Sequence, residues 1–252
     1  MGEVNRGPSV LTRAFAILDA FGTVSPELTH GAITQATGLA PATVHRLLAE
    51  LVERDAVERI GRGRYRIGMH LWRLGSLAPA GRNLRDTALP YLQDLFEVTH
   101  EVVHLAVLDD DRVMYLEKLE ARPGVSVVSG VGLRLPLHAT GPGKVLLAHT
   151  PPDFAERILS GPLPRHASGT ITDSRRLRAT LAAIRQQGYA ISRDEMTEGA
   201  ASVAAPVRDS DQVVASISVV VPSKAGDLSP LIPPVRLAAL GVTRELRRGR
   251  AR

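Results

Sequence analysis

The sequence predicts an α+β protein in which an N-terminal winged helix-turn-helix is joined by a linker helix to a larger α/β domain on a mainly antiparallel sheet. Three observations predict this fold. A chain of 252 residues is longer than one typical domain. Two short helices and a glycine-turn hairpin follow one another near the N-terminus. Further along, helical and strand patterns are mixed, and short turns join neighbouring strands.

The composition excludes several kinds of chemistry. Hydrophobic residues make up 44% of the chain and aromatic residues only 4%, so we expect aliphatic cores. The chain has no cysteine, which excludes disulfides, thiolate zinc sites and a cysteine nucleophile. The first residues lack the apolar core of a signal peptide, and no run approaches the ~20 apolar residues of a membrane helix, so we expect a soluble, cytoplasmic protein. The net charge of +5 permits an anionic partner.

Three helices are predicted near the N-terminus. The first spans residues 9–21 with Ser9 as its N-cap, and the second, over 29–37, is weaker because Gly31 and the threonines are poor helix formers. A glycine turn leads to a third helix over 41–54, in which apolar residues recur one turn apart. These apolar residues are Val44, Leu47, Leu48 and Leu51. Two helices joined by such a turn indicate a helix-turn-helix, whose second helix enters the major groove of DNA.

The solvent-facing side of this third helix carries side chains that suit contacts with bases. Arg46 can make a bidentate contact with guanine, Thr43 can meet a phosphate or a thymine methyl group, and His45 can donate or accept a hydrogen bond. The alternative is a merely solvated helix face. The turn before the helix and the basic hairpin after it favour DNA contact.

A basic hairpin follows the third helix directly. Residues 57–60 and 65–67 alternate like strands around a glycine-containing turn, which predicts the wing of a winged helix. Arg62 and Arg64 are candidates for phosphate or minor-groove contacts, which would provide affinity and salt dependence. A solvated turn is the alternative.

The remaining chain is predicted as a linker and a larger domain. A connecting helix over 68–81 ends in a hinge at 78–81, and a longer helix follows over 84–99. Strands are predicted at 102–108, 113–119, 189–192, 202–208 and 213–221. Helices are predicted at 143–149, 153–159 and 174–187, with a final helix ending near 247. The loop over 132–144 has the glycines and polar side chains to wrap a ligand.

The order and spacing of these segments resemble the IclR family of bacterial transcriptional regulators over nearly the whole chain. In the N-terminal half the resemblance rests on SVLTRAFAILDAF, ATGLAPATVHRLLAELVERDAVER and GRYRIG. In the C-terminal half it rests on EVVHLAVLDDDRVMYLEKLE, GLRLPLHATGPGK, QQGYAISRDE, EGAASVAAPVRD and SISVVVP. The resemblance implies dimers, often assembled into tetramers, on an operator with two-fold related half-sites. It also implies a GAF-like C-terminal domain whose pocket binds a small, often acidic metabolite.

The resemblance also implies site residues and domain limits. The DNA-contacting positions fall on Pro41, Ala42, Thr43, His45 and Arg46. The effector pocket falls on Thr140, Gly141, Pro142, Ser192, Ser202 and Ser218. The domains are a winged helix-turn-helix (8–68), a linker helix and hinge (69–82) and an effector-binding and oligomerisation domain (83–248). The expected function is ligand-responsive control of metabolic or catabolic genes, without a catalytic site or a cofactor.

Two alternatives remain open. His100-Glu101-Val102-Val103-His104 matches the H-E-x-x-H string of zinc hydrolases, but that string needs a helix, and this segment predicts a strand. On a strand the two imidazoles lie about 13 Å apart, too far to share one zinc ion. The other alternative is an architectural DNA binder whose C-terminal domain only oligomerises.

Overall fold

The computed structural model describes residues 8–22, 25–77, 79–120 and 128–250. It divides into two compact units, Met1–Arg82 and Asn83–Arg252. The helices of the first unit are α1 (Val10–Asp19), α2 (His30–Thr37), α3 (Pro41–Glu53) and α4 (Met69–Gly75). Its strands are β1 (Glu27–Thr29), β2 (Val57–Ile60) and β3 (Arg64–Ile67), which form an antiparallel sheet in the order β1-β3-β2. The predicted winged helix-turn-helix is therefore confirmed, with β1 as a strand that the sequence did not reveal.

Caps and apolar stripes explain the helices of the first unit. The hydroxyl of Ser9 accepts a hydrogen bond at the start of α1, and the hydroxyl of Thr29 does the same for α2. Gly38 ends α2 in the left-handed conformation, with φ of 66°, which allows the tight turn into α3. The core of this unit consists of Ile17, Ile33, Val44, Leu47, Leu48, Val57 and Tyr65.

The linker differs from its prediction at two points. Helix α4 ends at Gly75, whereas the connecting helix was predicted over 68–81. The long helix α5 spans Pro79–Thr99, so it begins five residues before the predicted start at Leu84. Residues 79–81 of the predicted hinge thus belong to the first turn of α5, where the fixed φ of proline suits a helix start. Ala78 lies outside the described residues.

The second unit is built on one six-stranded sheet. Its strands are β4 (Val102–Asp109), β5 (Arg112–Leu119), β6 (Arg134–Pro136), β7 (Ala190–Arg193), β8 (Ala200–Asp209) and β9 (Gln212–Pro222). They lie in the order β6-β5-β4-β9-β8-β7, and every neighbouring pair is antiparallel. This confirms the predicted antiparallel sheet, and β6 is an addition to it.

Helices cover both faces of this sheet. One apolar layer joins the sheet to α5 and α9 (Ile232–Arg250), and another joins it to α6 (Gly141–Ala148), α7 (Pro152–Ser160) and α8 (Ser174–Gln187). Strand β4 shows how the sequence separates the two faces. Val103 and Leu105 pack on the α5/α9 side, whereas His104 and Ala106 alternate with them and lie on the α6 side.

Candidate functional sites

Helix α3 presents one buried and one open face. Val44, Leu47 and Leu48 anchor the helix in the core of the first unit. The predicted contact residues lie on the other side, where Thr43 is half-buried and the rest are exposed. Those exposed residues are Pro41, Ala42, His45 and Arg46. The face predicted to meet DNA is thus largely exposed to solvent.

His30 helps to fix the start of α3, a role that sequence reasoning missed. Its Nε2 lies 3.1 Å from the carbonyl oxygen of Pro41, and its ring centroid lies 6.2 Å from that of His45. This bond between a side chain and a backbone carbonyl links the first turn of α2 to the first turn of α3.

Some arginines on this surface form ion pairs with glutamates. Arg46 Nη1 lies 2.8 Å from Glu50 Oε1, one helical turn away, and both side chains are about half exposed. Such exposed pairs contribute only a few tenths of a kcal/mol, so a phosphate or a base can replace the glutamate. On the wing, Arg64 pairs with Glu27 at 3.3 Å. Arg62 forms no ion pair within the described ranges and lies at the hairpin tip with a positive φ of 60°.

One cavity of the second unit contains all the residues predicted to bind an effector. Thr140, Gly141, Pro142, Ser192, Ser202 and Ser218 all line it. Twelve further lining residues were not predicted, and the ones used below are His104, Tyr115, Ser129 and Glu195. About 50 Å³ is open to the centres of water-sized molecules, so the cavity suits a small ligand. The signal for His104 was the alternation of β4, which places it on the face that holds Ser218.

Small residues under α6 create this cavity. A Cβ atom on Gly141 would lie 2.5 Å from Ser202 Oγ, so any larger residue would force the Ser202 side chain to move, and glycine lets the helix approach the sheet closely. Ser218 lies opposite His104 on the neighbouring strand and opposite Ala204 on the other side. Short side chains on β8 and β9 therefore leave space below the N-terminus of α6.

The N-terminus of α6 borders this space. Thr140 Oγ1 caps the helix by accepting from the Gly143 amide at 3.1 Å, and it donates to the Pro136 carbonyl oxygen at 3.1 Å. Pro142 has no N–H, as the sequence indicated. Gly141, the first residue of α6, lines the cavity at the positive end of the helix dipole.

His104 is a buried, neutral imidazole in the cavity wall. Burial, and secondarily the positive charge of Lys118, lower its pKa from 6.5 to about 3. Its Nε2 lies 2.8 Å from Ser129 Oγ, and its ring contacts Tyr115 edge-on with 4.9 Å between centroids. Neither His104 Nδ1 nor Ser218 Oγ has a hydrogen-bond partner among the described residues.

A buried ion pair lies at the wall of the cavity. Lys144 of α6 donates to Glu195 and, at 3.2 Å, to the carbonyl oxygen of Ile191. Burial lowers the pKa of Lys144, while the charge and the hydrogen bond of Glu195 oppose that change. Glu195 lines the cavity, and its Oε2 is buried without a hydrogen-bond partner in the described parts of the chain.

The H-E-x-x-H string does not lie on one helix. His100 follows the end of α5 with a positive φ of 53°, and β4 begins at Val102. His104 is therefore on a strand, as predicted, and its Nε2 already contacts Ser129. No group of three or more possible metal ligands occurs among the described residues. The zinc-hydrolase alternative thus lacks the geometry on which it depended.

Comparison with known proteins gives matches along most of the chain. The IclR helix-turn-helix domain matches residues 10–61, and the bacterial transcriptional regulator IclR C-terminal domain matches residues 78–232. No helix of the described residues is long and apolar enough to span a bilayer.

Individual relatives are regulators of transcription. The HTH-type transcriptional regulator BhcR of Paracoccus denitrificans is 36% identical over 220 residues, covering 86% of this chain and 78% of BhcR. XynR of Escherichia coli, also an HTH-type transcriptional regulator, is 33% identical over 209 residues, covering 82% and 83% of the two chains. An IclR homolog from Microbacterium hydrocarbonoxydans, solved in complex with 4-hydroxybenzoate, has a TM-score of 0.88 at 34% identity, covering 95% of this chain and 100% of that one.

Proposed function

Because the chain belongs to the IclR family of DNA-binding bacterial transcriptional regulators, we propose that it controls metabolic or catabolic genes in the cytoplasm in response to a small effector. The observation that carries this proposal is the cavity, which brings all six expected effector residues together and contains buried polar atoms that lack hydrogen-bond partners among the described residues. Structures of proteins rarely leave such atoms unpaired without a functional reason.

The DNA-contacting residues follow from the exposed face of α3. In this proposal Thr43, His45 and Arg46 contact base edges, and Pro41 and Ala42 bring the start of the helix close to the DNA. On the wing, Arg62 and Arg64 contact phosphates or the minor groove and contribute affinity rather than sequence choice.

A homodimer, or a tetramer of two dimers, would place two α3 helices on half-sites related by two-fold symmetry. Exposed apolar side chains of the first unit support this part of the proposal. Leu11 and Phe15 of α1 are 67% and 55% exposed, and Trp72 of α4 is 64% exposed. A second copy that covers these side chains would remove them from water.

The effector proposed for the cavity is small and carries a carboxylate. The positive end of the α6 dipole, at Gly141 in the cavity wall, favours an anionic group there. The relative solved in complex with 4-hydroxybenzoate, a small acid, also supports an effector that carries a carboxylate. The effector would act by binding one arrangement of the DNA-binding units more tightly, through the connecting segment over 69–80, with a coupling free energy of ~1–3 kcal/mol.

Fluorescence anisotropy tests the DNA-binding part of this function. The full chain is titrated onto DNA from upstream of its own gene and onto a scrambled duplex, at two salt concentrations. Arg46→Ala should weaken specific binding about 5- to 150-fold, because a bidentate arginine–guanine contact is worth ~1–3 kcal/mol. Arg175→Ala removes one exposed charge from the second unit and serves as the matched control, with little effect expected.

The outcomes separate the candidate functions. Tight, salt-sensitive binding to the upstream DNA that Arg46→Ala weakens supports a sequence-reading regulator. Equal, weak binding to both duplexes favours an architectural binder. An absence of binding to either duplex contradicts the assignment of α3 as the recognition helix.

A further inference from the structure

Two buried polar atoms that lack hydrogen-bond partners among the described residues belong to neighbouring residues of the cavity wall. His104 on β4 and Ser218 on β9 are directly opposite in the antiparallel register, and they are 1% and 0% exposed. Their side chains therefore point to the same face of the sheet, about 5 Å apart at Cβ. The orphaned atoms are His104 Nδ1 and Ser218 Oγ, and both residues line the cavity.

A nearby serine shows that the orphaned state is specific to this position. Ser216 lies two residues earlier on β9, faces the same side and is equally buried at 0% exposure. Its hydroxyl donates to the carbonyl oxygen of Ala205 at 3.1 Å, and it does not line the cavity. Strand β9 thus carries two buried serines on the same face. The hydroxyl of Ser216 has a hydrogen-bond partner, and that of Ser218 has none among the described residues.

The chemistry of the two orphaned groups defines what fits between them. In a neutral imidazole, one nitrogen donates and the other accepts. The contact between His104 Nε2 and Ser129 Oγ uses one of these roles and leaves the other at Nδ1. The Ser218 hydroxyl can donate as well as accept. A hydroxyl group, which also does both, satisfies the pair whichever tautomer is present, whereas a methyl, an ether or a halogen does not.

We infer that the effector carries a hydroxyl group that binds between His104 Nδ1 and Ser218 Oγ, so that the effector is a small hydroxy acid and these two residues select it over its deoxy analogue. The acid part of this inference rests on the proposed function, and the hydroxyl part rests on the orphaned pair. A hydrogen-bonding site that meets a ligand without the matching group keeps its own buried groups unpaired, which makes such sites discriminate strongly.

The first test uses the protein without any ligand. Ser218→Ala removes a buried hydroxyl that has no partner, so it should raise the Tm of the second unit by about 2–4 °C. The matched control Ser216→Ala removes a hydroxyl that donates to Ala205, so it should lower Tm by a similar amount. A fall in Tm for Ser218→Ala that equals the fall for Ser216→Ala would show a satisfied hydroxyl and overturn the inference.

The second test measures discrimination by isothermal titration calorimetry on the full chain. The probes are two matched pairs, 4-hydroxybenzoate against benzoate and 3-hydroxybutyrate against butyrate. We expect one hydroxylated member to bind at least about tenfold more tightly than its deoxy partner. This ratio should fall to about twofold or less in Ser218→Ala and in His104→Leu, and it should persist in Ser216→Ala.

Each contrary result has a defined meaning. Equal binding of a hydroxylated compound and its deoxy partner overturns the inference, as does a ratio that survives in Ser218→Ala. If none of the four probes binds, the hydroxy-acid assignment is overturned. The proposed regulatory function fails separately, by loss of sequence-specific binding to the upstream DNA in the anisotropy experiment.

Discussion

Acid should destabilise the second unit through the buried imidazole of His104. The pKa of His104 is lowered to about 3 in the folded protein, chiefly by burial, against 6.5 when it is exposed. The unfolded chain therefore takes up a proton at a pH where the folded chain does not. The stabilising contribution is complete above pH 6.5, falls as the pH drops toward about 3 and then changes no further.

The size of the effect follows from linkage. One pKa unit corresponds to about 1.4 kcal/mol, so lowering the pH from 7 to 5 should cost about 2 kcal/mol of unfolding free energy from this residue alone. His104→Gln cannot titrate in this range and retains a polar side chain, so its stability should fall by about 2 kcal/mol less over the same interval. Burial also lowers the pKa of His138 and of His149, but both residues are present in the two proteins, so their contributions cancel in the comparison.

The assay is urea unfolding at several pH values, followed by far-UV circular dichroism. The quantity of interest is the difference between wild type and His104→Gln as a function of pH. If the two proteins lose the same stability between pH 7 and pH 5, His104 is not a neutral, desolvated imidazole, and the reasoning from burial is refuted.

Three further substitutions test the Arg46–Glu50 ion pair, the charge of Arg62 and the Lys144–Glu195 ion pair. Glu50→Gln should tighten binding to any duplex severalfold in the anisotropy titration, because it releases Arg46 and removes a negative charge from the surface of α3; unchanged or weaker binding would show that the pair preorganises Arg46 instead. Arg62→Ala should reduce the slope of log K against log salt by about 1 while preserving preference for the upstream DNA, and a lost preference would contradict a phosphate contact. Lys144→Met should lower the unfolding free energy by about 3–5 kcal/mol because it leaves Glu195 buried and unpaired, and the added change Glu195→Gln should recover part of the loss in the same urea titration. No recovery in the double variant would indicate that Lys144 acts through packing rather than charge.

Local signals in the sequence were sufficient for most of the fold. Regular spacing of apolar residues predicted α3 to within one residue, because one face of this helix is fully buried and the other is open. Strands β1 and β6 escaped prediction because each has only three residues. So short a segment shows no period, and its pairing with β3 or β5 is decided by the partner strand.

The site was only partly accessible to the same reasoning. The family resemblance indicated Ser218 and Gly141, and the structure places both at one cavity. His104 drew attention only as a possible zinc ligand, because the string around it suggested a motif and the strand register was unknown. The pairing of Lys144 with Glu195 joins residues 51 positions apart, and no local pattern contains that information.

The exposed side chain of Trp72 has a practical consequence, since it is the sole tryptophan in the sequence. Its indole lies on α4, in the connecting segment, and the residue is largely exposed to solvent. Emission excited selectively at the indole therefore reports on this one segment. A blue shift on concentrating the protein would mark the burial of α4 by another copy, and a shift on adding an effector would mark a rearrangement of the connecting segment, without any label attached to the chain.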